Sequence, residues 1–277
     1  MNRLPFALTC CLVTLACGNG SPPAKAASPN GTGGTVNTAT GGAGTSGGAA
    51  DASGGSSNTP VHLLIFTRTL GYRHPSIDVG IGALTGLGAA RGWQVDSTDD
   101  PSRFSDAGLA AFNVVLFLST TGDVLDDAQQ LAMQRFIRAR HGFVGVHSAS
   151  DTEYDWPWYG ELVGAYFSAH PAIQEASVIV ETKNHPATAA LSSPWLRTDE
   201  WYGFRSNPRA NATILLRLDE SSYDPAGTGM GEDHPIAWAH EFEGGRALYT
   251  ALGHTDESYQ EPEFLAHLAG AVEWAAQ

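Results

Sequence analysis

The chain has 277 residues, with 29 acidic against 15 basic side chains and a formal charge of −14. That balance argues against nucleic acid as a partner, because phosphate binding needs clustered Lys and Arg. All three cysteines, Cys10, Cys11 and Cys17, fall in the first 17 residues, so residues 18–277 have neither a disulfide nor a cysteine nucleophile.

Residues 1–17, MNRLPFALTCCLVTLAC, place Arg3 ahead of a short apolar run that ends in small residues. This is the pattern of a signal peptide, since a bilayer span needs about 20 apolar residues. The segment TLAC resembles a bacterial lipobox with Cys17 as the lipidated residue, although Thr14 stands where an aliphatic residue is preferred. The alternative is an ordinary secretory cut nearby. Either way the expectation is an exported protein of the cell envelope, lipid-anchored to a membrane or secreted. Residues 18–60 carry twelve glycines and almost no large apolar side chain. Such a stretch buries too little to offset chain entropy, so a disordered tether is expected, reaching roughly 35–40 Å.

Residues 61–277 suffice for one α/β domain, and they hold 28 of the acidic and 13 of the basic residues, with Lys183 the only lysine. VHLLIFTR (61–68) is the apolar run of a strand buried on both faces. The loop TLGYRHPS follows, and Ser76 is placed to cap a helix through about residue 90. GWQVDSTDD predicts a short second strand and FNVVLFLST (112–120) a central third. Asp123 or Asp126 starts a helix to Arg140 with Leu131, Phe136 and Ile137 at helical spacing, and GFVGVHS is the fourth strand. This alternation predicts right-handed crossovers and a doubly wound, mostly parallel sheet.

A helix rich in aromatics (Tyr159, Tyr166, Phe167) is expected next, followed by the strands ASVIVET, TILLRLD, PIAWAHEF and GRALYTALGH and a closing helix near 261–275. HEFEGGRALYT reads as a hairpin turning at Glu243-Gly244-Gly245, so the sheet gains antiparallel strands late in the chain.

Ligands of open parallel sheets gather at the carboxyl ends of the strands. There the sequence puts Arg73 and His74, then Thr120, Thr121 and Asp123, then His147, Ser148 and Asp151, and finally His254, Asp256 and Glu257. Three histidines at three strand ends predict one shared site. His147 heads the turn GVHSASD, a position where many α/β enzymes present a Ser or Cys. Neutral imidazoles with a carboxylate suit either a divalent metal such as zinc, with His147 and His254 as candidate ligands, or metal-free acid–base chemistry. SAHP sets His170 on a loop, and TDEWYGF puts Asp199 and Glu200 before Trp201 and Tyr202. Carboxylates beside aromatic faces are a way of gripping sugars, with core packing the alternative for the two rings. Trp156 and Trp158 are expected to border the same mouth. His62, His141, His185, His240 and His267 read as structural or surface residues.

GYRHPSI, GVHSASD, YGELVGAYFSAHP, TDEWYGF, HPIAWAHEFEGGRALYTALGH and EPEFLAHLAGAVEWA, in this order, resemble the trehalose-utilisation (ThuA-like) family over nearly all of 61–277. The resemblance implies a flavodoxin-like sheet akin to the class I glutamine amidotransferase domain. It also implies that Gly145-Val146-His147 replaces the amidotransferase Gly-x-Cys, which removes glutamine amidotransfer as an activity. The family name implies uptake or breakdown of trehalose and related disaccharides through 3-keto sugars. The expected function is therefore an exported hydrolase or lyase acting on such a sugar. His147 and His254 would be base and acid or metal ligands, oriented by Glu200 and Asp151; Arg73, His74, His170, Trp201 and Tyr202 would bind substrate. The alternative is a non-catalytic sugar-binding lipoprotein using the same pocket. His147→Ala is expected to leave stability within about 1 kcal/mol if that residue simply lines a pocket.

Overall fold

The computed structural model describes residues 60–277. The expected signal peptide, the lipidation site Cys17 and nearly all of the tether lie outside the described residues. In chain order the elements are β1 (His62–Phe66), α1 (Ile77–Arg91), β2 (Gln94–Thr98), α2 (Asp106–Leu109), β3 (Val114–Leu118), α3 (Asp127–Arg138) and β4 (Gly142–Val146). Then come α4 (Pro157–Val163), β5 (Phe167–Ala169), β6 (Gln174–Val180), β7 (Trp195–Asp199), β8 (Gly203–Phe204), β9 (Thr213–Asp219), β10 (His234–Phe242), β11 (Gly245–Thr250) and α5 (Pro262–Ala275).

Nine strands form one sheet in the order β2-β1-β3-β4-β11-β10-β9-β6-β7. The first five are parallel, with β11 laid against β4 from Arg246↔Gly142 to Thr250↔Val146. This 2-1-3-4-5 arrangement is the flavodoxin-like order. The β1→β2 and β3→β4 crossovers run in opposite directions along the sheet, so right-handedness puts α1 and α3 on opposite faces. The central strands β3 and β4 are buried at every residue, as their unbroken apolar sequences require. Gly142 lets α5 close on the sheet, since a Cβ there would meet the Ala275 carbonyl oxygen at 2.3 Å.

β11 turns back on β10 through Glu243 and Gly244, both at positive φ, the two-residue loop whose twist suits a hairpin. β9, β6 and β7 extend the antiparallel half, and β5 pairs with β8 in a separate two-stranded sheet.

Four local expectations need correction. Leu131 is 52% exposed, and the buried stripe of α3 is Ala132, Met133, Phe136 and Ile137. Ser76 stands at the N-cap of α1 without capping it, because its hydroxyl donates to the Gly253 carbonyl oxygen instead. The aromatic helix stops at Val163, so that Tyr166 lies beyond it and Phe167 begins β5. Trp158 donates to Glu243 in the turn before β11, at the opposite end of that strand from His147, and does not border the site.

Candidate functional site

At the end of β4 the chain turns at once. His147 has a φ of 53°, a left-handed conformation that costs a non-glycine residue roughly 1–2 kcal/mol. The turn is tight: a Cβ on Gly145 would lie 3.1 Å from Tyr249 and 3.2 Å from Ala149. Tyr249 donates its hydroxyl hydrogen bond to the His147 carbonyl oxygen at 2.7 Å, tying the elbow to β11.

The His147 imidazole has no exposed surface. Its Nδ1 lies 2.9 Å from the Ala251 carbonyl oxygen, and a carbonyl only accepts, so the ring proton sits on Nδ1. The lone pair of Nε2 is thereby aimed into the site. Tyr202 donates its hydroxyl to that Nε2 at 3.0 Å, and His254 Nδ1 lies 3.0 Å from it. Glu200 Oε2 stands 3.1 Å from His254 Nδ1 and 3.5 Å from His147 Nε2. The rings of His74, His147 and His254 are nearly perpendicular in pairs, with centroids 4.7–5.0 Å apart. One ligand-type atom from each of His74, His147, Glu200 and His254 lies within 4.8 Å of the others. Among the described residues, these four are the group that could hold a metal ion together.

Burial alone would raise the Glu200 carboxyl, but the adjacent imidazoles, with His254 donating at 3.1 Å, outweigh it and hold the group well below the carboxylate range. His254 is correspondingly raised: burial would lower it, and the Glu200 hydrogen bond and charge win. His74 is pushed down to about 3 by burial and by the neighbouring His147 and His254, so it stays neutral. Exposure rises outward from His147 to His254 and His170, whose side chains are 17% and 42% exposed, which sets the opening on their side. His170 reaches Glu200 Oε1 at 3.0 Å and the Pro171 carbonyl oxygen at 2.8 Å, both through Nδ1.

The structure therefore brings together His74, His147, His170, Glu200, Tyr202 and His254. Three other expected residues stand apart. The Asp151 carboxylate accepts from the Tyr154 hydroxyl at 2.6 Å and orients neither histidine; burial raises it above the usual range. Arg73 donates to the Thr67 carbonyl oxygen and faces Asp78 at 3.7 Å. Trp201 is core, 1% exposed, with its indole N–H on the Gln174 carbonyl oxygen. Tyr202 and His74 belong to the site as buried parts of the cluster, not as open platforms for a substrate.

Two residues carry more than their sequence context announced. Asp199, fully buried, accepts from the backbone N–H groups of Glu200 (2.9 Å), Gly253 (2.9 Å) and His254 (3.1 Å), and from Arg197 (3.0 Å). It fastens the segment after β7 to the segment after β11, and so sets Glu200 against His254. His234, also fully buried, bridges the Tyr202 carbonyl oxygen at 2.8 Å and Glu220 at 2.6 Å, supporting Tyr202 from behind. Only the TDE carboxylates hinted at the first, and nothing local singled out the second.

Residues 62–275 match the family model ThuA, described as trehalose utilisation. Among solved structures, a ThuA-like protein of Bacteroides uniformis superposes with a TM-score of 0.67 at 24% identity, covering 78% of this chain and 92% of that one. A ThuA-like protein of Parabacteroides merdae gives 0.66 at 20% identity, with 79% and 90% covered. A cytoplasmic protein of Salmonella typhimurium gives 0.55 at 9% identity, with 78% and 98% covered. Among curated proteins, none matches the chain. The match over almost the whole described domain settles the family, and these likenesses agree in the fold: the chain belongs to the ThuA, or trehalose-utilisation, family.

Proposed function

We propose that this chain is an exported carbohydrate-active protein, lipid-anchored through Cys17, that hydrolyses or eliminates a 3-keto disaccharide or glycoside related to trehalose. One observation carries the reading: His254, on the open side, is held by the Glu200 carboxylate and backed by the Nε2 lone pair of His147. Such a unit moves protons without rearranging. A ketone at C3 of a sugar acidifies the C2–H bond. A base takes that proton, the C1–O bond breaks, a C1=C2 double bond forms, and the departing oxygen receives a proton from an acid. Addition of water across the double bond makes the net reaction hydrolysis. In this reading His254 meets the substrate, with Glu200 orienting it and holding positive charge on its ring. His147, fully buried, acts through His254.

The second reading, a sugar-binding lipoprotein, is favoured by Tyr72. This ring is 62% exposed and stands edge-on to His74 at 4.8 Å, an aromatic face next to the cluster. Incubating the mature protein with trehalose, 3-keto-trehalose and related glycosides, with and without chelator, and measuring released glucose separates the two. Glucose from the keto sugar, lost in His254→Ala, is the expected result. Calorimetric binding of the sugars with no product would leave the binder.

A further inference from the structure

Glu200 has a side chain only 8% exposed, and among the described residues all its ion-pair partners are histidines: His147, His170 and His254. A carboxylate removed from water needs a positive partner, and no Lys or Arg of the described residues is paired with it. With its Nδ1 turned to the Ala251 carbonyl oxygen, His147 presents Nε2 to the site, 3.5 Å from Glu200 Oε2. Closing on both is His254 Nδ1, at 3.0 and 3.1 Å.

Those three separations have the size of a coordination sphere, and a ring nitrogen of His74 lies within 4.8 Å of all three atoms. Donors about 2.0–2.1 Å from one zinc ion in a tetrahedron stand about 3.3–3.4 Å apart. The second contacts also match what metal-bound ligands require, since a ligating histidine gives its other N–H to a carbonyl or carboxylate. His147 does so to Ala251. His170 occupies Glu200 Oε1, leaving Oε2 as the single ligating oxygen. Asp199 clamps the backbone N–H groups of both Glu200 and His254, so two of the donors are positioned in advance.

The geometry points to a mononuclear site for a divalent transition-metal ion of the zinc class, held by His74, His147 through Nε2, Glu200 through Oε2 and His254 through Nδ1. Three imidazoles and one carboxylate select such an ion over magnesium or calcium, which take oxygen ligands. The site deepens the proposed function and rests on it only for what the ion would do, not for its binding.

The test uses the full mature protein, stripped with chelator and dialysed, and needs no substrate. Zn2+ titrated by calorimetry should bind with one equivalent per chain, and Co2+ should give the visible absorption of a nitrogen- and oxygen-ligated low-coordinate ion. Glu200→Gln, close to isosteric, and His254→Ala should each weaken Zn2+ binding at least tenfold while circular dichroism stays unchanged. His240→Ala, away from the cluster, should leave it intact. Absence of stoichiometric binding to the wild type, or binding unchanged in Glu200→Gln, overturns the site. Zinc bound by a protein inactive on keto sugars would keep the site and sink the sugar reading. Glucose release from a protein that binds no zinc would keep the sugar reading and sink the site.

Discussion

Replacing His147 removes more than a ring from a cleft. Alanine there leaves the Ala251 carbonyl oxygen and the Tyr202 hydroxyl without their partner, in a place with no exposed surface. It also keeps a Cβ at a φ of 53°. Each buried polar group left unpaired costs about 1–3 kcal/mol, so His147→Ala should lose about 2–4 kcal/mol in urea denaturation. The pocket-lining expectation of within about 1 kcal/mol is therefore corrected. Turnover, measured on the same protein, should fall at least about a hundredfold. Asp199→Asn tests the clamp. An amide offers one acceptor where the carboxylate offered two, and turns N–H groups toward the donors of Gly253 and Arg197. A loss of about 3 kcal/mol is expected by the same measurement, part of it from leaving the Arg197 charge buried and unmatched; a change under about 1 kcal/mol would remove Asp199 from the framework. The sequence made the three strand-end histidines legible because each follows a strand by local pattern. It hid Asp199 because the partners that give it a role, Gly253 and His254, come more than fifty residues later.

Elements differ in how much of their fixing is local. The start of α3 is written in sequence: Asp126 and Gln129 form a reciprocal capping box. β7 is written only in the fold. Its five residues bury alternate side chains, Trp195, Arg197 and Asp199, and two of those are charged groups that no strand pattern places inside. The α3 start is also held from outside by Glu153, which is buried and accepts from Leu125 N–H at 2.7 Å and from the Gln130 amide at 2.8 Å. Burial is the largest influence on its carboxyl and, against those hydrogen bonds, pushes it up from 4.5 to about 7. The folded state thus holds a proton that the unfolded chain has released across that window. The contribution is fully present below pH 4.5 and is lost as pH rises through about 7. Each tenfold change in proton affinity is about 1.4 kcal/mol, so wild type should lose roughly 3 kcal/mol relative to Glu153→Gln between pH 4.5 and pH 8. Chemical denaturation of both proteins across that range checks it, and parallel curves would rule it out.

At the scale of the whole molecule, the parallel half was legible because handedness leaves few ways to order four βα units, whereas for the antiparallel half the sequence announced the strands and the hairpin but not their order in the sheet. Hairpin geometry fixes β10 beside β11, but nothing local tells β6 to pair with both β9 and β7, or β7 to end where it can reach β11. The entry into β1 is held by contacts that can be named. Asn113, just before β3, donates its amide to the Pro60 carbonyl oxygen at 2.7 Å and accepts from His62 N–H at 2.9 Å. Pro60 is therefore already tied to the sheet. β1 next to it pairs on both sides, with β2 and β3, and its last four residues are fully buried. Residues 18–59, rich in glycine and poor in apolar side chains, bring no comparable surface to bury. A chain starting at Thr59 should therefore melt within about 1 °C of the mature protein by scanning calorimetry, since 1 kcal/mol shifts a domain of this size by only about 2–4 °C. A chain starting at Thr67 removes a strand paired on both sides and should show no cooperative transition. If the Thr59 form instead melted several degrees low, part of the preceding segment would have to pack on the domain, and the reading of 18–60 as a bare tether would fall.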